Sequence, residues 1–348
     1  MRSLFLLLIA FTTQSFSAQT KAPINIYMWE DTISPYVVED WESSTGMPLK
    51  ATHFDNDDER NLLMMKSLQL PFDVVILDNV SAQIYGRFGA FKDLSTLKNR
   101  HHNGNKWLQA CGDYAVPYFW GTVGIAYRKD LVPTPPSTWS EFTSPPKELE
   151  GRIGMINDTI ESFLPTFYSL GLAPDEGTPS AIKAAYPQLQ SFNEKILTYE
   201  YILSYVRGTE NHNDKLAMAL AYSGDQYSLN RYFVGNKWAF TIPDGEIFIW
   251  LDCLAINNRS TNPEGAKAFL EYLMDPEVAA KNAIFIKAST PNLTALKQTP
   301  DWYKNDASLF PSQKRIDQGR VDVELSPENI SLRTKILNRI LKRHETQY

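Results

Sequence analysis

Apolar residues recur along this chain with two periods, and the alternation between them lays out its elements. Residues 24–27 alternate as a short strand, Trp29-Glu30-Asp31-Thr32 follows as a loop, and residues 35–45 carry a helical pattern. Residues 49–54 form the next strand. The acids Asp55 to Glu59 then open a helix through Leu70, because carboxylates cap helix N-termini and suit the dipole there. Residues 72–77 are apolar almost throughout, as in a strand covered on both faces, and lead into Asp78-Asn79 and another helix. Strands alternating with helices predict an α/β fold with a mostly parallel sheet and ligands at the carboxyl ends of strands. Trp29, Asp31 and Asp78 fall at such ends.

Further on, residues 115–121 run into the apolar strand 122–127, which reads as a crossing to a second lobe. After the Pro-rich loop 133–136 a second alternating region begins, with strand 153–156, helix 182–197 and strand 217–221. The apolar run 248–256 reads as a strand recrossing between lobes. Asn262-Pro263-Glu264 caps a helix through Met274, and residues 327–342 carry another with apolar Ile330, Ile336, Leu337, Ile340 and Leu341.

Of the 348 residues, the first eighteen read as a secretory signal peptide: Arg2 precedes an apolar run from Leu4 to Phe11 and then small and polar residues to Ala18. That run is too short to span a bilayer, so the expected location is the periplasm, with cleavage near residue 18. What remains exceeds the usual service of one core. The expected division is 19–120 plus 252–300 for the first lobe and 121–251 plus 301–348 for the second.

Charge narrows the ligand. Removing Arg2 leaves 33 basic against 40 acidic residues, a net of −7, which favours a cationic solute over an anionic one. No basic stripe occurs, so nucleic acid is not an expected partner. Cys111 and Cys253 stand far apart with no spacing signature; buried free thiols are the expectation, with pairing in an oxidising compartment the alternative.

Enzyme motifs are missing. The sequence holds no phosphate-binding loop, dinucleotide fingerprint or zinc-protease motif, and its five histidines are scattered. The acids 55–59 suggest a calcium loop only until Arg60, which stands where that loop needs glycine, so a helix cap is the better reading. Asp158 and Glu161 lie too close on one loop for a glycosidase pair, although a carbohydrate-active enzyme remains the alternative of another class. Neither metal nor other cofactor is expected.

Acids and aromatic rings recur together: Trp29-Glu30-Asp31; Asp158, Glu161 and Phe163; Tyr222-Ser223-Gly224-Asp225; and Trp250-Leu251-Asp252. A polyamine needs this combination, because each buried ammonium must be paired while flat rings enclose the methylenes and attract the cations. Taken singly, each ring reads equally well as core and each acid as a turn cap.

The stretches Tyr27-Met28-Trp29-Glu30-Asp31, Phe72-Asp73-Val74-Val75, Val116-Pro117-Tyr118-Phe119-Trp120-Gly121, 250–256 and Thr290-Pro291-Asn292-Leu293 resemble the periplasmic spermidine/putrescine-binding proteins of ABC importers, in order across nearly the whole mature chain. The resemblance implies a two-lobed, type II periplasmic binding protein fold with the ligand cleft between the lobes. It implies that Trp29 and Trp250 are aromatic walls, that Tyr222 replaces a usual tryptophan, and that Asp158, Glu161 and Asp252 bind ammonium groups. Asp225 is similar to the aspartate of the putrescine-preferring branch, and Asp31 matches an acidic position of the first loop. Thr32, Val80 and Ala288 stand where spermidine binders carry tyrosines, and Asp78 replaces a small hydroxyl residue. Losing rings while gaining an acid suggests a different polyamine.

That divergence resembles the norspermidine-sensor branch of the family, which reports to a membrane cyclic-di-GMP phosphodiesterase controlling biofilm formation. The expectation is therefore a monomeric, non-enzymatic polyamine binder of the norspermidine/spermidine class, its inner-membrane partner a GGDEF/EAL receptor. The alternative is the substrate-binding subunit of a polyamine importer, with an ABC permease as partner.

Overall fold

A computed structural model describes residues 21–54, 57–66, 70–208 and 215–346. The signal peptide expected at 1–18 lies outside the described residues, as do Asp55, Asn56 and His212. The strands are β1 (Ile24–Met28), β2 (Leu49–His53), β3 (Val74–Asp78), β4 (Ala115–Arg128), β5 (Ile153–Gly154), β6 (Ile196–Thr198), β7 (Met218–Tyr222), β8 (Trp238–Thr241), β9 (Phe248–Ile256) and β10 (Arg320–Val321). They join in the order β2-β1-β3-β9-β4-β7-β5-β6, with β10 beside β9 and β8 beside β4.

Both wings are parallel: β1 with β2 and β3 on one side, β5 with β6 and β7 on the other. The centre is not, since β9 runs antiparallel to both β3 and β4, and β4 antiparallel to β7 and β8. The sheet is thus mixed, with parallel wings as the alternation of strands and helices predicts and an antiparallel centre where the two long strands cross between the lobes.

β4 is buried at all fourteen positions. Its register against β9 shifts between Pro117 and Phe119, where proline supplies no N–H to the ladder. Residues 115–120 of β4 and most of β9 join the first core with β1, β3, Trp41 and Phe269. Val123, Ile125 and Tyr127 of the same β4 join a second, with Met155, Met218 and Leu220. Two cores on one pair of continuous strands make the two-lobed architecture. Tyr303, Leu309 and Ile316 pack with the first core, whereas Ile336, Leu337 and Ile340 pack on the helix Pro179–Asn193 beside the second.

Helix Pro35–Thr45 runs as the pattern predicts, with proline in its first turn and Gly46 taking the left-handed conformation (φ 67°) that ends it. Asn262 caps helix Pro263–Met274 by accepting the Gly265 N–H. The helix expected at 182–197 stops at Asn193, because residues 196–198 pair with β5 as β6. Cys111 and Cys253 form a disulfide (Cα–Cα 5.9 Å), correcting the expectation of free thiols. Folding alone brings them together: Cys253 lies on β9 opposite Pro117, and Cys111 ends the helix Asn105–Cys111. No helix among the described residues is long and apolar enough to cross a membrane.

Candidate functional site

The carboxyl end of β1 delivers Trp29, half-buried, with its ring 4.3 Å from that of Phe54 at the end of β2. The loop beyond is held from below. Thr32 Oγ1 donates to the Trp29 carbonyl (2.8 Å), and Tyr118 Oη on β4 donates to the Thr32 carbonyl (2.7 Å). Asp31 takes a left-handed backbone (φ 58°) and is exposed at the rim. Beside it, Glu30 pairs with Arg207 (3.2 Å), tying this loop to the helix Ile202–Gly208, which belongs to the second wing.

From the second wing comes the turn after β5. Asp158 Oδ1 accepts the Ile160 and Glu161 N–H groups, both at 2.7 Å, which fixes the loop and aims Glu161. Tyr222, at the end of β7, donates its hydroxyl to Glu161 Oε2, and burial first, then that carboxylate, raises the phenol well above its ordinary pKa. The Tyr222 ring stands edge-on to Trp250, centroids 6.1 Å apart. Trp250 packs against both cores and is accommodated by Gly121: a Cβ there would lie 2.5 Å from Trp250 Cζ2 and 2.4 Å from Ser223 Oγ. The Trp250 indole nitrogen is buried with no hydrogen-bond partner among the described residues.

Asp225 sits behind this wall. Its oxygens accept from Tyr201 Oη (2.7 Å) and the Tyr222 N–H (2.8 Å), and burial pushes its carboxyl up to about 6. It therefore positions Tyr222 and Tyr201. Phe163 lies in the core, where its ring carries the buried Arg333 guanidinium 5.3 Å from the ring centre.

Asp252 on β9 stands opposite Asp78 on β3, a cross-strand pair of acids. Two carboxylates so placed repel unless a cation intervenes. Asp78 has one: Oδ2 accepts from Arg60 Nη2 at 2.9 Å, while Oδ1 accepts the Ser81 N–H (2.7 Å) and caps the helix Asn79–Arg87. Asp252 also helps to raise the buried Tyr118 phenol, after burial itself.

Asp322 completes the group and was not singled out in the sequence. The two-residue strand β10 pairs with Phe248 and Ile249, and the Asn79 amide donates to the Asp322 carbonyl (2.9 Å). Burial, then the charges of Asp78 and Asp158, push the Asp322 carboxyl up to about 8. Its only sequence signal is an isolated acid between Val321 and Val323 in a stretch too short to read as a strand.

Acids and rings from both wings thus converge. The charges of Asp78 and Asp158 both act on Asp322, Asp252 stands opposite Asp78, and Glu161 and Asp158 both act on Tyr222, whose ring meets that of Trp250; Trp29 lies on Phe54, the ring that Arg60 also faces. A small hollow with room for no more than a water molecule lies elsewhere, between Val116, Leu270 and Asn282, and contains none of these acids.

Two cores sharing crossing strands, with such a polar seam between them, define a type II solute-binding protein. The chain belongs to the family of bacterial extracellular solute-binding proteins, which matches over residues 37–311. It is similar to the norspermidine sensor of Vibrio cholerae, with 47% identity over 343 residues covering 99% of this chain and 95% of that protein. The putrescine-binding periplasmic protein of Pseudomonas aeruginosa is 27% identical over 315 residues, 84% of each chain. Among solved structures, a putative spermidine/putrescine ABC transporter protein from Listeria monocytogenes superposes with a TM-score of 0.80 at 22% identity, covering 92% of this chain and 99% of the other. The Streptococcus pneumoniae spermidine/putrescine transporter's substrate-binding protein gives 0.79 at 19%, covering 93% and 100%. Those two likenesses bear on fold alone.

Proposed function

We propose that this is a periplasmic polyamine-binding protein that closes on a ligand of the norspermidine/spermidine class and reports it to a membrane receptor of the GGDEF/EAL type. One observation carries the reading: acids of the two wings meet, since Asp78, which faces Asp252 across the ladder, and Asp158, whose loop holds Glu161 against Tyr222 and Trp250, both act on Asp322. A solute bridging the two sides binds the closed form better than the open one and shifts the population toward it. The closed shape is then the signal, and no covalent step is needed.

Similarity to the Vibrio cholerae sensor supports the receptor-coupled role, and the Cys111–Cys253 disulfide supports an oxidising compartment reached through the leader at 1–18. The proposed lobes are 19–120 plus 252–300 and 121–251 plus 301–348, and the packing of Tyr303, Leu309 and Ile316 with the first core favours counting that stretch with the first lobe. Resemblance to putrescine-binding periplasmic proteins favours a second reading, the binding subunit of an importer. Neighbouring permease and ATPase genes would favour it; a neighbouring GGDEF/EAL gene favours sensing.

The test is calorimetry on refolded, ligand-stripped protein with putrescine, norspermidine, spermidine and spermine. Binding is expected, and Asp252→Asn should cost roughly 2–5 kcal/mol, as for truncating one partner of a buried charge pair. Silence toward all four amines sinks the reading.

A further inference from the structure

The acid that the sequence reading placed in the ligand shell, Asp78, comes with its own cation. Arg60 projects from the helix Asp57–Lys66 and is fully buried (side chain 1% exposed), while Asp78 keeps 30% of its side-chain surface open. One nitrogen of the guanidinium carries these contacts: Nη2 lies 2.9 Å from Asp78 Oδ2, 3.2 Å from Asn61 Oδ1 and 3.3 Å from Ser81 Oγ. Its carbon sits 5.6 Å from the centre of the Phe54 ring, the ring that also backs Trp29. The pair is therefore part of the site wall, one carboxylate away from Asp252 across the β3–β9 ladder.

A buried arginine costs a large desolvation penalty unless paired, and it stays protonated under all ordinary conditions. We propose that Arg60 is a built-in cation occupying the place of one ligand ammonium, so that the Arg60–Asp78 pair determines polyamine specificity by closing one subsite of the acid row. This rests on the polyamine reading above. Asp78 is then satisfied before any ligand arrives. The charge offered to the solute comes from Asp252, Asp322, Asp158 and Glu161, and an additional ammonium at the Asp78 end meets a carboxylate already neutralised by the guanidinium behind it. Helix capping alone accounts for Asp78 Oδ1, which takes the Ser81 N–H, but not for an Arg held on Oδ2.

Titrating wild type, Arg60→Gln and Asp78→Asn with norspermidine and spermine tests this. Arg60→Gln leaves Asp78 available, so the spermine-to-norspermidine affinity ratio should rise at least about tenfold. Asp78→Asn leaves the guanidinium uncompensated, so both amines should bind more weakly, spermine by the larger factor. The double variant, which removes both charges, should return the ratio to within about threefold of wild type. Because Arg60→Gln strands a half-buried carboxylate, melting curves with and without spermine accompany it, and spermine should raise its Tm more than that of wild type. A ratio unchanged in Arg60→Gln, or equal losses for both amines in Asp78→Asn, overturns the proposal while leaving polyamine binding intact. Absence of binding in wild type instead defeats the function proposed above.

Discussion

Raising the pH from 6 to 7 should tighten polyamine binding about ninefold through one carboxyl group. Asp322 is pushed up to about 8 from an ordinary value of 3.8, by burial first and then by Asp78 and Asp158. At pH 7 roughly nine in ten empty molecules therefore hold it protonated. An ammonium beside it favours the charged form, so binding must expel that proton. With the bound-state value well below 6, the affinity ratio between pH 7 and pH 6 is (1 + 10²)/(1 + 10), or about 9, while about 0.9 proton is released at pH 7. The ligand's amines stay charged throughout this window.

The sign for stability runs the other way. Between about pH 4 and 8 the folded, empty protein retains a proton that the unfolded chain has lost, so its stability falls as pH rises through that range. Calorimetry in buffers of different ionisation enthalpy counts the protons directly. Asp225, raised to about 6, titrates nearby, so Asp322→Asn is the control that isolates the effect. Release of less than about 0.2 proton by wild type at pH 7, or the same pH slope in Asp322→Asn, would show that Asp322 does not face the ligand.

Breaking the Cys111–Cys253 bond, by reduction or by a double serine variant, should destabilise the protein by roughly 5 kcal/mol on the loop-entropy model for a 142-residue separation, read as a lowered urea midpoint. An unchanged midpoint would mean that the unfolded chain gains little freedom from the cut. Gly121→Ala drives a methyl group into Trp250 and Ser223 and should cost about 1–3 kcal/mol of stability from overpacking, with a shifted tryptophan emission and weaker polyamine binding. Wild-type emission and affinity in that variant would remove Trp250 from the ligand wall.

Strand positions were legible wherever burial wrote a continuous apolar run, as at 248–256, and helix ends wherever proline, asparagine or Gly46 marked them. The antiparallel centre was not, since burial on both faces records no strand direction. Acid and ring recur together in sequence at Trp29, Tyr222, Trp250, Asp158, Glu161 and Asp252, but that pattern alone does not separate a site from core rings and turn caps, and it was the resemblance to polyamine-binding proteins that singled them out. Asp322 could not be, for its partners arrive from β3 and the turn after β5. Asp225 looked like its neighbours in sequence, yet two hydrogen bonds turn it inward behind Tyr222. Arg60 had a visible signal, the residue that spoiled a calcium loop, but its meaning depends on Asp78, eighteen residues later.

The disulfide also divides the labour along the crossing strands. Cys253 locks β9 to the first core at the level of Pro117, while Gly121, opposite Trp250, lies beyond that lock toward the second core. On the proposed function, rotation of one lobe against the other is expected off the stapled end, on the stretch that carries the indole. The pivot would then coincide with the proposed ligand wall, so that the angle between lobes is set where the solute is felt.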